Sequence, residues 1–299
     1  MIVRDTRTGK SYINESASEF GYRSEISDLW WDIPSRLRVM DNLGIDVQLL
    51  SVGNPWLSYI PASESKRFSR ILNKELMTTA KNYPTRFAVL GILPVSSSEA
   101  IEELDYAVNE LGVKGFMIGT HVNGRSIVCD EFLPIFERAS KLKIPIYIHP
   151  LARPDVSRYY DRSTTASLIF PTETALIAKE IVEKEIFVKY PNCSLVLPHL
   201  GGTVPFSLGR LFRNFQSRKE SDILGSLKKF YLDSISYYTP AFEYAAGIWG
   251  PEKIMFGTDF PHIWSDDHSH TIETIVNSKL TDKQKNLVLG ENAVRFFSL

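Results

Sequence analysis

A chain of 299 residues with 43% hydrophobic and 23% charged residues has the composition of an ordinary globular protein and suffices for one large α/β domain or two small ones. A formal net charge of −1 without a polybasic run excludes the electrostatic footprint of a nucleic-acid or membrane-surface binder. Two cysteines, Cys129 and Cys193, exclude a disulfide framework, and no stretch approaches the roughly 18 uninterrupted apolar residues of a membrane helix.

Those exclusions point to a cytoplasmic protein whose partner is a small molecule, with neither nucleic acid nor membrane involved. The N-terminal segment holds a turn signal, Thr8, Gly9 and Lys10, between two short extended runs, so residues 1–31 read as a peripheral hairpin or insert. Asp32 then looks like an N-cap, with Pro34 in the first turn of a short helix stopped by Gly44. IDVQLLSV (45–52) reads as a strand. From there strands and helices alternate: helix over 62–83, strand FAVLGILP (87–94), a helix opened by a capping box from Ser96 to Glu99 and ended by Gly112, and strand 113–120. The pattern continues with a helix over 130–142, strand IPIYIHP (144–150), a long loop over 151–170 and a helix over 171–190. Strand CSLVLPH (193–199), a helix over 204–216, strand FYLDSIS (230–236), a helix over 240–249 and strand KIMFGTDF (253–260) follow. Thr281 and Gln284 offer a second capping box among the closing helices.

Seven strands alternating with helices argue for a parallel α/β fold, either a (β/α)8 barrel or an open doubly wound sheet. No Gly-x-Gly-x-x-Gly follows any strand, which disfavours a dinucleotide-binding sheet. No linker or composition break divides residues 1–299, so a single domain is expected.

Three apolar runs stop abruptly at a polar residue. They deliver His149, His199 and Asp259, an imidazole–imidazole–carboxylate set of the kind that binds a catalytic divalent metal at the carboxyl ends of barrel strands. His121 lies in a turn after the third strand. Trp56 and Tyr59 follow the first and are placed to wall a pocket for a planar substrate. His262 stands close enough to Asp259 to touch substrate, whereas His268 and His270 read as residues of a solvated loop.

MDNLGIDVQ (40–48), GTHVNG (119–124), YIHP (147–150), LPHLGG (197–202), GTDFP (257–261) and GENA (290–293) together resemble the amidohydrolase superfamily. Within it the chain is most similar to the branch of aminocarboxymuconate-semialdehyde decarboxylase and the resorcylate-type decarboxylases. The resemblance implies a TIM-like (β/α)8 barrel, a homodimer, and one divalent metal, zinc with manganese as the alternative, without an organic cofactor. It makes His149 and Asp259 metal ligands and His199 the acid/base residue beside the metal. It further implies a non-oxidative decarboxylase of a small carboxylated compound, planar or aromatic, whose carbon is protonated or hydroxylated next to the carboxylate as carbon dioxide leaves. A lactone or amide hydrolase of the same superfamily is the alternative chemistry.

The chain departs from that pattern at its start. Family members open with an apolar strand ending in His-x-His or Glu-x-His, which supplies two more ligands, but no histidine precedes His121 here. The expectation is therefore a barrel lacking its first strand and two metal ligands, through a start some tens of residues late, or else a non-catalytic barrel that has lost its metal. Either version leaves two unpaired sheet edges. The arginine and tryptophan that the family uses for a muconate substrate are replaced by the neighbourhoods of Tyr12 and Ala166, leaving Arg23, Arg153, Arg158 and Arg162 as possible substitutes.

Overall fold

In a computed structural model of the chain, the described residues are 2–4, 11–15, 22–26, 28–53, 56–57, 60–151, 162–215, 219–262 and 269–299. Strands β1 (Ile2–Arg4), β2 (Ser11–Glu15) and β3 (Tyr22–Ile26) form an antiparallel sheet, with Ile2 opposite Ile13 and Tyr12 opposite Glu25. This extends the expected hairpin by one strand. Its turn at Thr8 to Lys10 lies outside the described residues.

The main sheet is parallel and follows chain order. It begins with β4 (Gln48–Leu50), β5 (Phe87–Gly91) and β6 (Gly115–Gly119). A two-residue ladder of β7 (His121–Val122) and β8 (Arg125–Ser126) interrupts the chain before β9 (Ile146–His149), β10 (Leu195–Leu197), β11 (Tyr231–Asp233) and β12 (Ile254–Met255) complete it. All seven expected strands are present, each short and apolar as a strand buried on both faces must be. Helix α1 (Ile33–Leu43) leads into β4, and α2 (Ala62–Asn82), α3 (Ser97–Tyr106), α4 (Leu133–Leu142) and α5 (Phe170–Glu183) provide the first crossovers. Then come α6 (Val204–Asn214), α7 (Glu220–Leu227), α8 (Thr239–Trp249), α9 (Ser269–Val276), α10 (Asp282–Asn286) and α11 (Asn292–Phe297). The architecture is a TIM-like barrel with one strand position open, between β12 and β4.

Strand alternation separates two apolar clusters. Phe116, Ile146, Ile148, Leu195, Leu197 and Leu232 face the helices. Leu49, Leu90, Met117, Tyr147, Val196 and Met255 face inward, where Phe296 and Phe297 of α11 join them. Phe296 stacks on Tyr231, the first residue of β11, at 4.3 Å, and Lys114, just before β6, donates to the Ser298 carbonyl at 2.7 Å. The C-terminal helix therefore plugs the end of the sheet where the strands begin. That leaves the opposite end for a site.

One of the two expected free edges is covered. On β12 the Ile254 carbonyl accepts Asn292 Nδ2 at 2.7 Å, and Phe256 N–H donates to the Val288 carbonyl at 2.7 Å. These groups alternate along the outer side of the strand, so the helical C-terminal segment takes hydrogen bonds that a neighbouring strand would make. Elsewhere, Glu103 is fully buried, accepting from Arg70 Nε at 2.6 Å and Asn73 Nδ2 at 2.9 Å; Asn73 also closes a two-bond ring with Ile92. This network clamps α2 and α3 to the chain leaving β5.

Local signals were partly obeyed. Asp32 caps α1 by accepting Ser35 N–H at 2.9 Å, Gly44 ends it at φ 66°, and Thr281 with Gln284 forms a complete capping box. Ser96 does not cap α3, because its hydroxyl pairs with Ser98 at 3.3 Å. The loop expected over 151–170 is helical from Arg162 onward, running through a π-helical turn, Thr165–Ile169, into α5; residues 152–161 lie outside the described set. Among the described residues no helix is long and apolar enough to cross a membrane.

Candidate active site

β9 places His149 at its tip, level with Gly119 of β6, and Pro150 follows with no N–H to continue a ladder. The His149 Nδ1 proton is donated to the Pro150 carbonyl at 2.8 Å, which fixes the tautomer and leaves Nε2 with its lone pair. Loss of hydration pushes this imidazole down to about 4, so it is neutral at pH 7.

β10 ends at Leu197, and the next turn is left-handed over four residues: φ is 54° at His199, 53° at Leu200, 77° at Gly201 and 62° at Gly202. Glycine is required at 202, since a Cβ there would lie 2.1 Å from the Pro171 carbonyl oxygen. The turn carries His199 to His149, with ring centroids 5.6 Å apart and planes at 75°. Burial, and then the neighbouring His149, push His199 down to about 3, and its buried Nδ1 has no hydrogen-bond partner among the described residues.

Asp259 follows β12 in a left-handed conformation, φ 55°, before a cis Phe260–Pro261 peptide. Gly257 N–H is held by Ser234 Oγ at 3.2 Å, His262 N–H by the Asp259 carbonyl at 2.8 Å, and the Tyr237 hydroxyl donates to Asp259 Oδ2 at 3.5 Å. A cavity of about 1340 Å³ unites His149, His199 and Asp259, and it continues along the opening between β12 and β4.

Of the residues proposed to touch substrate, His262 lines this cavity, its ring edge-on to Trp30 at 4.6 Å. Trp56 packs edge-on against His149 at 5.6 Å but lines a separate cavity of about 60 Å³, its buried Nε1 without a partner among the described residues. His121 is 4% exposed and borders the small cavity, with Gly124 N–H donating to Nδ1 at 3.2 Å and Nε2 donating to the Leu151 carbonyl at 2.9 Å. Both ring nitrogens are used in holding a turn. Tyr59, Arg153, Arg158 and His268 lie outside the described residues, as do the side chains of Arg23 and Arg162, and His270 sits on α9 beside Glu273 at 3.3 Å.

Sequence reasoning missed Arg36, Tyr147, Asp233 and Trp30, all of which line the large cavity. Arg36 donates to Gln48 Oε1 at 2.9 Å and the Leu29 carbonyl at 3.0 Å and lies over the Phe260 ring at 4.6 Å. No carboxylate pairs with it among the described residues, and burial pulls it down to about 10. Its signal in the sequence is an arginine in the first turns of the helix that leads into β4.

Among the described residues no three His, Cys, Asp or Glu side chains gather closely enough to hold a metal ion. His149, with a fixed Nε2 lone pair, and Asp259 fit two positions of a catalytic metal's shell by donor chemistry, one fewer than such a metal ordinarily takes from protein.

The amidohydrolase family model matches residues 29–299. The chain is 28% identical over 285 residues to 2-amino-3-carboxymuconate-6-semialdehyde decarboxylase of Dictyostelium discoideum, covering 92% of this chain and 79% of that protein. Its fold is similar to the crystal structure of 5-carboxyvanillate decarboxylase from Sphingomonas paucimobilis, with TM-score 0.79, 27% identity and coverage of 89% and 82%. It is equally similar to that of dihydroxybenzoic acid decarboxylase from Polaromonas sp. JS666, with TM-score 0.80, 25% identity and coverage of 89% and 86%; that structure contains manganese and the inhibitor 2-nitroresorcinol.

Proposed function

Because the chain belongs to the amidohydrolase family, we propose that it is a divalent-metal-dependent, non-oxidative decarboxylase of a small aromatic or planar carboxylate, working without an organic cofactor. The observation that carries this reading is the meeting of His149 and His199 in a cavity that also holds Asp259 and the guanidinium of Arg36, with which no carboxylate of the described residues pairs. The relatives that decarboxylate a carboxymuconate semialdehyde and carboxylated aromatic compounds support it.

His149 and Asp259 would hold the metal. When bound, the metal supplies positive charge where the reacting substrate develops negative charge. Manganese in a relative's structure favours that ion over zinc. Arg36 receives the substrate carboxylate with guanidinium N–H groups left over from Gln48 and Leu29, and Trp30, His262 and Phe260 wall a flat ring. His199, neutral at pH 7, takes a proton from a ring hydroxyl and returns it to the carbon bearing the carboxylate. The carbon–carbon bond then breaks, its electron pair stays with the ring, and carbon dioxide departs.

The test is carbon dioxide release from 2,6-dihydroxybenzoate and other carboxylated phenols by manganese-loaded and zinc-loaded protein. Release that His199→Ala abolishes is the expected result. A protein that binds metal but decarboxylates none of these compounds refutes the proposal.

A further inference from the structure

Arg36 is half-buried against the large cavity, and a guanidinium drawn out of water ordinarily has a carboxylate beside it. Here its acceptors among the described residues are neutral. Nη1 donates to Gln48 Oε1 at 2.9 Å and Nη2 to the Leu29 carbonyl at 3.0 Å, with the Phe260 ring 4.6 Å away, beside the turn that carries Asp259. Neutral oxygens fix the direction of the fork but leave its full charge, and three of its five N–H groups remain for a ligand. Gln48 contributes more than an acceptor. With Oε1 turned to Arg36, its Nε2 keeps two N–H donors that have no partner among the described residues, and Gln48 lines the same cavity. The mount is stiff. Gln48 N–H donates to the Arg86 carbonyl at 2.9 Å, and the Arg86 side chain holds the Asp46 carbonyl at 2.9 Å, the Ile45 carbonyl at 3.1 Å and the Asp41 carboxylate at 2.8 Å. One arginine thereby ties the end of α1 to the start of β4, and with them the spacing of Arg36 from Gln48.

We infer that Gln48 is a specificity-determining residue of the candidate site: with Arg36 it forms a cationic fork for a carboxylate, Gln48 Nε2 and the spare guanidinium N–H groups donating to the carboxylate oxygens. The inference deepens the decarboxylase reading and rests on it for the identity of that carboxylate as the substrate's, while the fork itself can be read from binding without turnover. An amide is what this position requires. A glutamate would keep the bond to Arg36 and strengthen it, but it would remove both donors and cancel the charge that draws the ligand.

Titration calorimetry on the full chain in the presence of manganese compares 2,6-dihydroxybenzoate with resorcinol, the same ring without its carboxylate. Wild-type protein is expected to bind the carboxylated ring at least about tenfold more tightly. In Gln48→Glu the affinity for 2,6-dihydroxybenzoate is expected to fall by about a hundredfold and that for resorcinol by less than about twofold, while thermal stability holds or rises. Gln48→Met should cost about tenfold on the carboxylated ring alone. A residue that only packs would instead move both affinities together. Gln48→Glu that binds 2,6-dihydroxybenzoate as tightly as wild type overturns the inference, as do equal losses for the two ligands and a wild type that does not prefer the carboxylated ring. Should Gln48→Glu not fold, Gln48→Met decides by the same comparison. A preference that Gln48→Glu abolishes, in a protein that releases no carbon dioxide, counts against the decarboxylase reading alone and leaves the fork standing.

Discussion

The His149 and His199 rings meet edge to face with their centroids 5.6 Å apart, and loss of hydration keeps both neutral at pH 7. Two neutral imidazoles this close present lone pairs without mutual charge repulsion, which suits a cation between β9, β10 and β12.

A metal bound there makes unequal demands on the histidines of the chain. Replacing His149 by Ala is expected to weaken manganese binding on the order of a hundredfold, and Asp259→Asn by at least about tenfold, as measured by titration calorimetry. His270→Ala, on the exposed face of α9, should leave affinity unchanged.

The buried groups set an acid limit on stability, and the signs can be worked out. His149 and His199, with folded values of about 4 and about 3 against an ordinary 6.5, bind fewer protons in the native than in the unfolded state, so each loses stability as pH falls below about 6.5. Asp233 is raised from 3.8 to about 6, mainly by burial, and opposes them by gaining stability as pH falls through 6. Two groups against one leave a net loss of about 1.4 kcal/mol per pH unit between roughly pH 6 and 4. Urea denaturation across this range should show that slope, and it should steepen in Asp233→Asn provided that variant keeps the native fold.

Asn292 replaces a strand partner at β12, donating to the carbonyls of Ile254 at 2.7 Å and Pro251 at 2.8 Å while itself 2% exposed. Asn292→Ala strands two carbonyls, one of them on the sheet edge, and is expected to cost about 2–4 kcal/mol in urea denaturation. Light scattering on the same variant should reveal association through the uncovered edge.

Glu103 tests whether the α2–α3 clamp matters to stability. Glu103→Ala leaves Arg70 and Asn73 without their acceptor and should destabilise by about 3–5 kcal/mol, whereas Arg70→Ala also leaves a buried charge behind. Thermal melting of Arg70→Met, Glu103→Leu together should show a smaller loss than Glu103→Ala alone.

Much of this fold was legible before any coordinates. Seven strands stood out because parallel strands buried on both faces must be short apolar runs, and His149, His199 and Asp259 stood out because each ends such a run at a proline, glycine or turn. The caps at Asp32, Gly44 and Thr281 were readable for the same reason, since they depend only on residues within one turn.

What only the tertiary structure decided are relations between residues far apart in the chain. Tyr147 looked like one more apolar position of β9 until the curl of the sheet brought it against Asp233, 86 residues later. Arg36 gained its meaning only when α1 was set against β4 through Gln48, and the partners of the His121 ring, the Leu151 carbonyl and the Gly124 N–H, were set by the loops around it. The coverage of β12 by Asn292 was equally invisible, because nothing along the chain shows which distant carbonyls a single asparagine amide will reach. Hydrophobic period and turn chemistry act over a few residues and can be read along the chain. Which polar groups satisfy one another is set by where the strands place them, and that is known only once the sheet has closed around its site.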